Sequence, residues 1–337
     1  MVSHTQSEVT STSLPTSPLR LPPLLMTLLK RLGWGLLTLW GVSVIVFVLL
    51  FVLPRLRGGD PADAIAQTMA GNHSTKETIE NIKKDRGLDQ PLLVQYTRFV
   101  TDALTNNLKS YRNKALVMNS IWHRFPATLL LALAGLTVWL VVAIPLGLMT
   151  GEHAGSWLDR SALWLGLIAI SVPTFFLGRL LQHFLGYEWG LFSVGGSAKL
   201  WNLPLPAMTL GLGGAAYYSR LLHTNLRSVL TQDYIRAARA RGLSEGVILG
   251  KHALKNALIP MVTILGMDIA SLLSGLIFTE KIFGWPGIGS LAVDSVLNLD
   301  PPMIMGTVLF SALMVVIMNL IVDIAYHLID PRVRLGD

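Results

Sequence analysis

Six long stretches of this chain carry almost no charge, and no other feature limits its fold so tightly. They are Gly33–Leu53, Ala127–Thr150, Ser161–Gly178, Leu200–Ser219, Asn256–Thr279 and Pro301–Val322. Asp268 alone interrupts the fifth, Arg179 closes the third, and Asp323 follows the sixth. A helix rises about 1.5 Å per residue, so about 20 apolar residues cross about 30 Å of hydrocarbon. The expected fold is an all-α membrane protein with six transmembrane helices. Composition agrees: charged residues make up 14% of the 337, against about 25% in soluble domains, so much of the surface must face lipid.

Short-loop charge sets the orientation, because Lys and Arg stay on the cytoplasmic side. The 223–255 loop holds six basic residues (Arg227, Arg236, Arg239, Arg241, Lys251, Lys255) against Asp233 and Glu245. The 280–300 loop holds only Lys281 against Glu280, Asp294 and Asp300. The first loop is therefore expected inside, and an even number of spans puts both termini inside with it. Lys30-Arg31 before the first span, and Arg332 and Arg334 near the end, suit that orientation. Residues 54–124 carry eleven basic residues on the outer side, which the rule tolerates in long loops. The net charge of +7 reads as membrane-surface charge, with lipid and not nucleic acid as the partner.

Four regions are expected. Residues 1–20 form a Ser/Thr/Pro-rich disordered tail, without the features of a signal peptide. Residues 21–53 hold an interfacial helix and the first span, and 54–124 an external helical subdomain. Residues 125–335 form the core of helices two to six, including the 223–255 loop. Within 54–124, the apolar positions Ile79, Ile82, Leu88, Leu92, Leu93, Tyr96 and Phe99 give two short helices interrupted at Gly87 and Pro91. The absence of cysteine excludes disulfides and thiolate metal sites. No metal-binding, nucleophile-elbow or phosphate-loop motif occurs, so any ATP must be bound by another chain.

The stretch DYIRAARARGLSEGVILGKHALKNALIP (Asp233–Pro260) stands out. Asp233–Arg241 reads as a helix with cations toward its C-terminal end. Gly242 suits the left-handed position that ends a helix. Ser244 is a candidate N-cap, and Glu245 places an anion in the first turn of a second short helix over about 245–254. Leu243, Val247, Ile248 and Leu249 would then be exposed unless a partner covers them. Residue physics leaves an interfacial helix on the headgroups open as well.

The same stretch resembles the cytoplasmic signature loop of ABC-importer permeases, Glu-Ala-Ala, three residues, Gly. Ala237, Ala238 and Gly242 fall on that pattern, with Arg236 in place of its Glu. It is more closely similar to the dipeptide/oligopeptide/nickel permease family. That likeness extends to TEKIFGWPGIGSL (Thr279–Leu291), to Gly59-Asp60-Pro61 and to Asp330-Pro331-Arg332, over about residues 30–335. In the external loop, Asn107-Leu108-Lys109-Ser110 departs from the Asp-Leu-Gly-x-Ser turn of many relatives.

The resemblance implies the type I ABC importer permease fold and a bacterial inner-membrane location. It implies a second, similar permease chain, two cytoplasmic ATPase subunits and an external, periplasmic substrate-binding protein. No cofactor is expected on this non-enzymatic chain, since ATP and Mg2+ would sit on the ATPases. The residues it places at the coupling contact are Ala238, Arg241, Gly242, Leu243, Ser244, Glu245, Val247, Ile248 and His252. Substrates in the family range over dipeptides, longer peptides, glutathione, nickel and other chelates.

Two further sites are candidates. Trp285, Pro286, Gly287 and Gly289 read as a type II turn, either at the outer aromatic belt or, by the resemblance, at an external gate. Ionisable residues inside spans are functional candidates by default. Asp268 is therefore either a lining residue of a translocation path with Ser271 and Ser274, or half of a helix–helix hydrogen bond. An ion-coupled secondary transporter using Asp268 is the alternative function.

Overall fold

The computed structural model describes residues 23–71 and 75–329. The tail at 1–20, the Asp330-Pro331-Arg332 motif and the side chains of Ser271, Ser274 and Asp323 lie outside the described residues. Every regular element among the described residues is a helix, with one isolated bridge between Lys109 and Leu116.

All six uncharged runs are helical. The first lies on α1 (Pro23–Phe47), which continues through a π turn into α2 (Leu53–Leu56). After the helices of the 54–124 region come α6 (Val117–Glu152), α7 (Trp157–Ser171) and α8 (Thr174–Leu181). The last three runs fall on α9 (Pro204–Leu230), α12 (Leu254–Gly275) and α15 (Pro301–Ile329). Among the described residues, apolar length by itself qualifies three helices as spans, or four when the bent pair α7–α8 counts as one.

That bent pair corrects the expectation of an uninterrupted third span. The axes of α7 and the α8 segment differ by 106°. Pro173 is the cause: it disfavours the helical region for the residue before it, and Val172 is extended at φ −81°, ψ 122°.

The core of the chain is the α6–α9 pair. A Cβ at Gly147 of α6 would lie 2.8 Å from both the Leu222 Cβ and the Ser219 carbonyl oxygen of α9. Only glycine permits so close an approach, the device by which membrane helices gain contact without a hydrophobic driving force. Trp139 and Ala143 of α6 are buried with Ala215, Tyr218, Leu222 and Leu226 of α9. The same cluster runs on through Ile235, Ala238, Ile248, Ala253 and Ala257, so the 223–255 loop is packed onto the helices it connects.

The 54–124 region folds around its own punctuation. α3 (Pro61–Ala70) starts at Asp60, whose side chain accepts from the Ala62 amide at 3.0 Å. α4 (Lys76–Arg86) is capped by Thr75 and ends at Gly87 in the left-handed conformation, φ 64°. α5 (Leu92–Leu104) begins after Pro91. Leu88 and Phe99 are buried with Phe47 and Phe51 of the first span and Met305 of the last. Leu93, in contrast, is 74% exposed. Lys83 pairs with Asp60 and Asp63 across the α3–α4 corner. The hydrogen bond to Asp63, ahead of the opposing burial, holds the Lys83 ammonium above its ordinary pKa.

Asp300, buried just before α15, ties the subdomain to the last span. Its carboxylate accepts from the Ser110 hydroxyl and, at 3.0 Å, from the Tyr111 amide. Asp300→Ala leaves the buried Ser110 hydroxyl and the Tyr111 amide without their acceptor, at a cost of about 1–3 kcal/mol. We expect a lower melting temperature and faster protease cleavage within 105–116 while the spans stay inserted. Unchanged cleavage kinetics would show that Asp300 does not hold this loop.

Candidate functional site: the 223–255 loop and the 284–289 turn

The break in the loop is built by backbone geometry. α10 (Asp233–Ala240) ends at Gly242, which sits at φ 78° as its sequence position predicts. The Leu243 amide bonds back to the Ala238 carbonyl and the Gly242 amide to Arg239, the paired bonds of a Schellman motif. Gly246 and Gly250 are absent from the positive-φ glycines, so of the three only Gly242 turns the chain.

After the turn, α11 (Glu245–Val247) passes through a π segment, Ile248–Ala253, directly into α12. The separate second helix expected over 245–254 is therefore the first part of the helix of the fifth span. No residue between Glu245 and Pro260 adopts a terminating conformation, and Pro260 is accommodated inside α12. Ser244 occupies the N-cap position without a side-chain cap bond; its carbonyl accepts from Val247 and Ile248, both at 3.0 Å. Glu245 reaches back across the turn instead. Arg239 Nε donates to its Oε1 at 2.7 Å and an Arg239 terminal nitrogen to its Oε2 at 3.2 Å. The Arg239 hydrogen bond holds the Glu245 carboxyl below its usual range, so this exposed pair is intact at neutral pH and lost only as pH falls through that lowered value. On the other side, Asn256 Nδ2 donates to Tyr234 Oη at 2.7 Å, fastening α10 to the start of α12.

The coupling candidates divide by burial. Arg241, Gly242, Leu243, Ser244, Glu245 and Val247 form an unbroken exposed run with Gly246. Leu243 is 39% and Val247 42% exposed. Ala238 and Ile248 are buried in the chain's own core and His252 is half-buried. The expectation that Ile248 faces outward is thus corrected: it is fully buried, in the cluster that also holds Leu226, Ile235 and Ala257.

The turn before α14 (Ile288–Leu297) is organised by Glu280 of α13 (Ile277–Ile282), a residue the sequence reading used only as a loop charge. Its carboxylate is fully buried. Thr128 Oγ1 of α6 donates to Oε1 at 2.7 Å, and the Ser290 amide to Oε2 at 2.8 Å. Thr128 Oγ1 in turn accepts from the Ile288 amide at 2.8 Å. An anion at a helix N-terminus meets the free amides and the positive end of the dipole. Trp285 is buried, with Nε1 donating to the Ala127 carbonyl at 2.8 Å, and so is not a belt residue. The type II turn is also corrected. Gly287 is extended at φ −100°, and its amide bonds to Trp285 across Pro286 at 2.8 Å, a three-residue γ-turn. Glycine is required there by proximity: a Cβ would lie 2.0 Å from Glu280 Oε1. At Gly289 a Cβ would lie 2.7 Å from the Ile277 Cα. The only signal in the sequence was an acid a few residues before a glycine-rich helix start.

Asp268 is joined to α9: Tyr218 Oη donates to its Oδ2 at 2.7 Å. That is the helix–helix bond of the two readings. Ser271 and Ser274 bring no described side chain to the question.

An all-helical membrane chain with this loop and this turn has the architecture of an ABC importer permease, and the comparisons agree. Residues 143–335 match the binding-protein-dependent transport system inner membrane component family, and residues 24–132 match the N-terminal part of such membrane components. The chain belongs to that family and has its type I ABC importer permease fold. It is 37% identical over 308 residues to the glutathione transport system permease protein GsiC of Escherichia coli strain K12, covering 91% of this chain and 98% of that one. The GsiC of Pectobacterium atrosepticum is 36% identical over 307 residues, with the same coverage of both chains. Such a permease works in the inner membrane with an ATPase and a substrate-binding protein. The ion-coupled alternative finds no support in this kinship or in the Tyr218–Asp268 bond.

Gly287→Ala is expected to lower the melting temperature of the purified chain. In a Glu280→Ala background the same change should cost far less, because the colliding carboxylate is gone. Equal losses in both backgrounds would refute the contact as the reason for glycine.

Proposed function

We propose that this chain forms part of the translocation path of a peptide-class importer and couples it to ATP hydrolysis on partner subunits. The exposed run Arg241–Val247 carries the reading. It sets two large apolar side chains, Leu243 and Val247, on a turn fixed by Gly242 and by the Arg239–Glu245 pair. Both flanks are anchored, at Ala238 and at Ile248. A rigid apolar tip outside the spans fits a groove on an ATPase better than it fits water.

In this reading both termini and the 223–255 loop are cytoplasmic, and the 54–124 subdomain faces the binding protein. A second permease chain completes the path, and two ATPases bind all the ATP and Mg2+. The Glu280-centred turn forms the external gate element. The GsiC relatives favour glutathione or a similar short peptide as solute. Asp268 acts as a tie between α9 and α12.

Gly242→Val places a β-branched residue at positive φ, a strain of about 1–3 kcal/mol. The variant should insert normally yet lose co-purification with the ATPase and uptake. Full assembly with normal transport would remove the coupling role from this loop. Asp268→Asn retains an acceptor for Tyr218, and ATP-driven uptake should stay within about three-fold of wild type, a loss under about 0.7 kcal/mol. Abolished uptake with intact ATP hydrolysis would revive the ion-coupled alternative.

A further inference from the structure

Between the end of α6, the start of α7 and the second half of α9 lies a cavity of about 180 Å³ with two unlike ends. His223 Nδ1 of α9 is 3.5 Å from Asp159 Oδ1 of α7. A Cβ on Gly166 would lie 3.9 Å from the Ala216 Cβ, so the two helices run antiparallel. Asp159, Leu163, Gly166 and Ile170 line the cavity from one face of α7. Its polar end is therefore at Asp159, Arg220 and His223, and its apolar end at Gly166, Ile170 and Ala216. Asp159 to Ile170 is about 16 Å of helix, about half the hydrocarbon thickness that a span crosses. Leu163 and Ile170 are exposed within an uncharged run, the setting of side chains that face acyl chains.

The polar end offers free donors. The hydroxyls of Thr150, Ser219 and Thr224 donate to carbonyls of their own helices, at 2.8, 3.0 and 3.0 Å. Asp159 is engaged, its Oδ2 accepting from the Gly155 amide at 2.8 Å while Oδ1 faces His223. Arg220, the first charge after the fourth run, is exposed, and among the described residues no hydrogen bond or ion pair takes its guanidinium. His223 Nε2 also lacks a partner and, unlike Trp139 Nε1, is not sealed inside the protein. A guanidinium matches the two oxygens of a phosphate, and basic pockets between spans at the cytoplasmic face suit lipid headgroups. The volume is too small for a whole drug-sized ligand. It fits one part of a molecule whose remainder lies in the bilayer.

We propose that this groove binds one anionic phospholipid of the cytoplasmic leaflet, its phosphate on Arg220 and His223 and an acyl chain along Leu163, Gly166 and Ile170. Phosphatidylglycerol suits it better than phosphatidylethanolamine, because Asp159, the one carboxylate in the wall, is already engaged and leaves an ammonium little to bind. The choice of leaflet rests on the orientation proposed above. The coupling role of residues 241–247 could fail and leave this site intact.

The full-length chain is reconstituted in liposomes of equal phosphatidylglycerol and phosphatidylcholine, each lipid in turn carrying a diazirine midway along one acyl chain. On irradiation, phosphatidylglycerol should label residues 159–170 and 216–224 several-fold more than phosphatidylcholine does. In detergent, native mass spectrometry should show phosphatidylglycerol retained in preference to phosphatidylcholine. Arg220→Ala should weaken that retention about ten-fold, the effect of one lost hydrogen bond to a charged group, and Arg220→Lys should weaken it less. Gly166→Leu fills the apolar end without touching the headgroup end and should also lower retention, whereas a loose surface attraction to Arg220 would not respond to it. Photolabelling of the unaltered chain decides the matter if either variant fails to fold. Equal labelling by the two lipids, labelling of other segments only, or unchanged retention in a folded Gly166→Leu chain overturns the proposal. Labelling that disappears in the assembled transporter also overturns it, and would give the groove to a second permease chain.

Discussion

A single buried carboxylate holds the part of this protein where three helices converge. Glu280 receives the Thr128 hydroxyl from α6 and the Ser290 amide from the start of α14, while it belongs to α13. An acid taken out of water is costly unless its oxygens are filled. Glu280 therefore demands this geometry as much as it supplies it. Trp285 bonds to Ala127 one residue from Thr128, and Gly287 has no side chain because the carboxylate occupies that space. Removing Glu280 or Thr128 leaves a buried backbone amide without its acceptor.

The same logic governs the rest of the chain. Asp300 plays the corresponding part for the 107–111 loop, and Tyr218 with Asp268 joins α9 to α12. In each case a polar group in an apolar setting finds its partner on an element far away in sequence. These bonds fix how helices sit against one another, a task that apolar contact in a membrane does poorly. They also connect regions far apart in the chain. The Glu280 turn grips α6, α6 packs along α9, and the cluster on α9 runs down to Ile235 and Ile248 beneath the exposed tip.

Much of the helical layout was legible in the residues. Gly87 and Pro91 stop and restart the helices of the subdomain, and Gly242 takes the left-handed conformation that ends α10. These are local events, decided by one residue's allowed dihedrals, so a linear reading reaches them. The family was legible too, because the signature loop and the Pro-Gly-Ile-Gly turn are short and specific. The loop beyond Gly242 was less so. A separate helix was expected, whereas the π segment joins it to α12, and Ile248 turns inward.

What the sequence by itself determined is the set of helices, their punctuation and the kinship of the chain, since all three depend on neighbours within a few positions. Tertiary structure alone decided which apolar residues stay exposed. Leu243 lies in the turn before α11, while Val247 and Ile248 are neighbours on the helix, the one exposed and the other buried. It also decided that Glu280 and Thr128 meet and that Trp285 is buried. Each of these turns on the relative placement of elements tens or hundreds of residues apart, and no local preference encodes a distance of that kind.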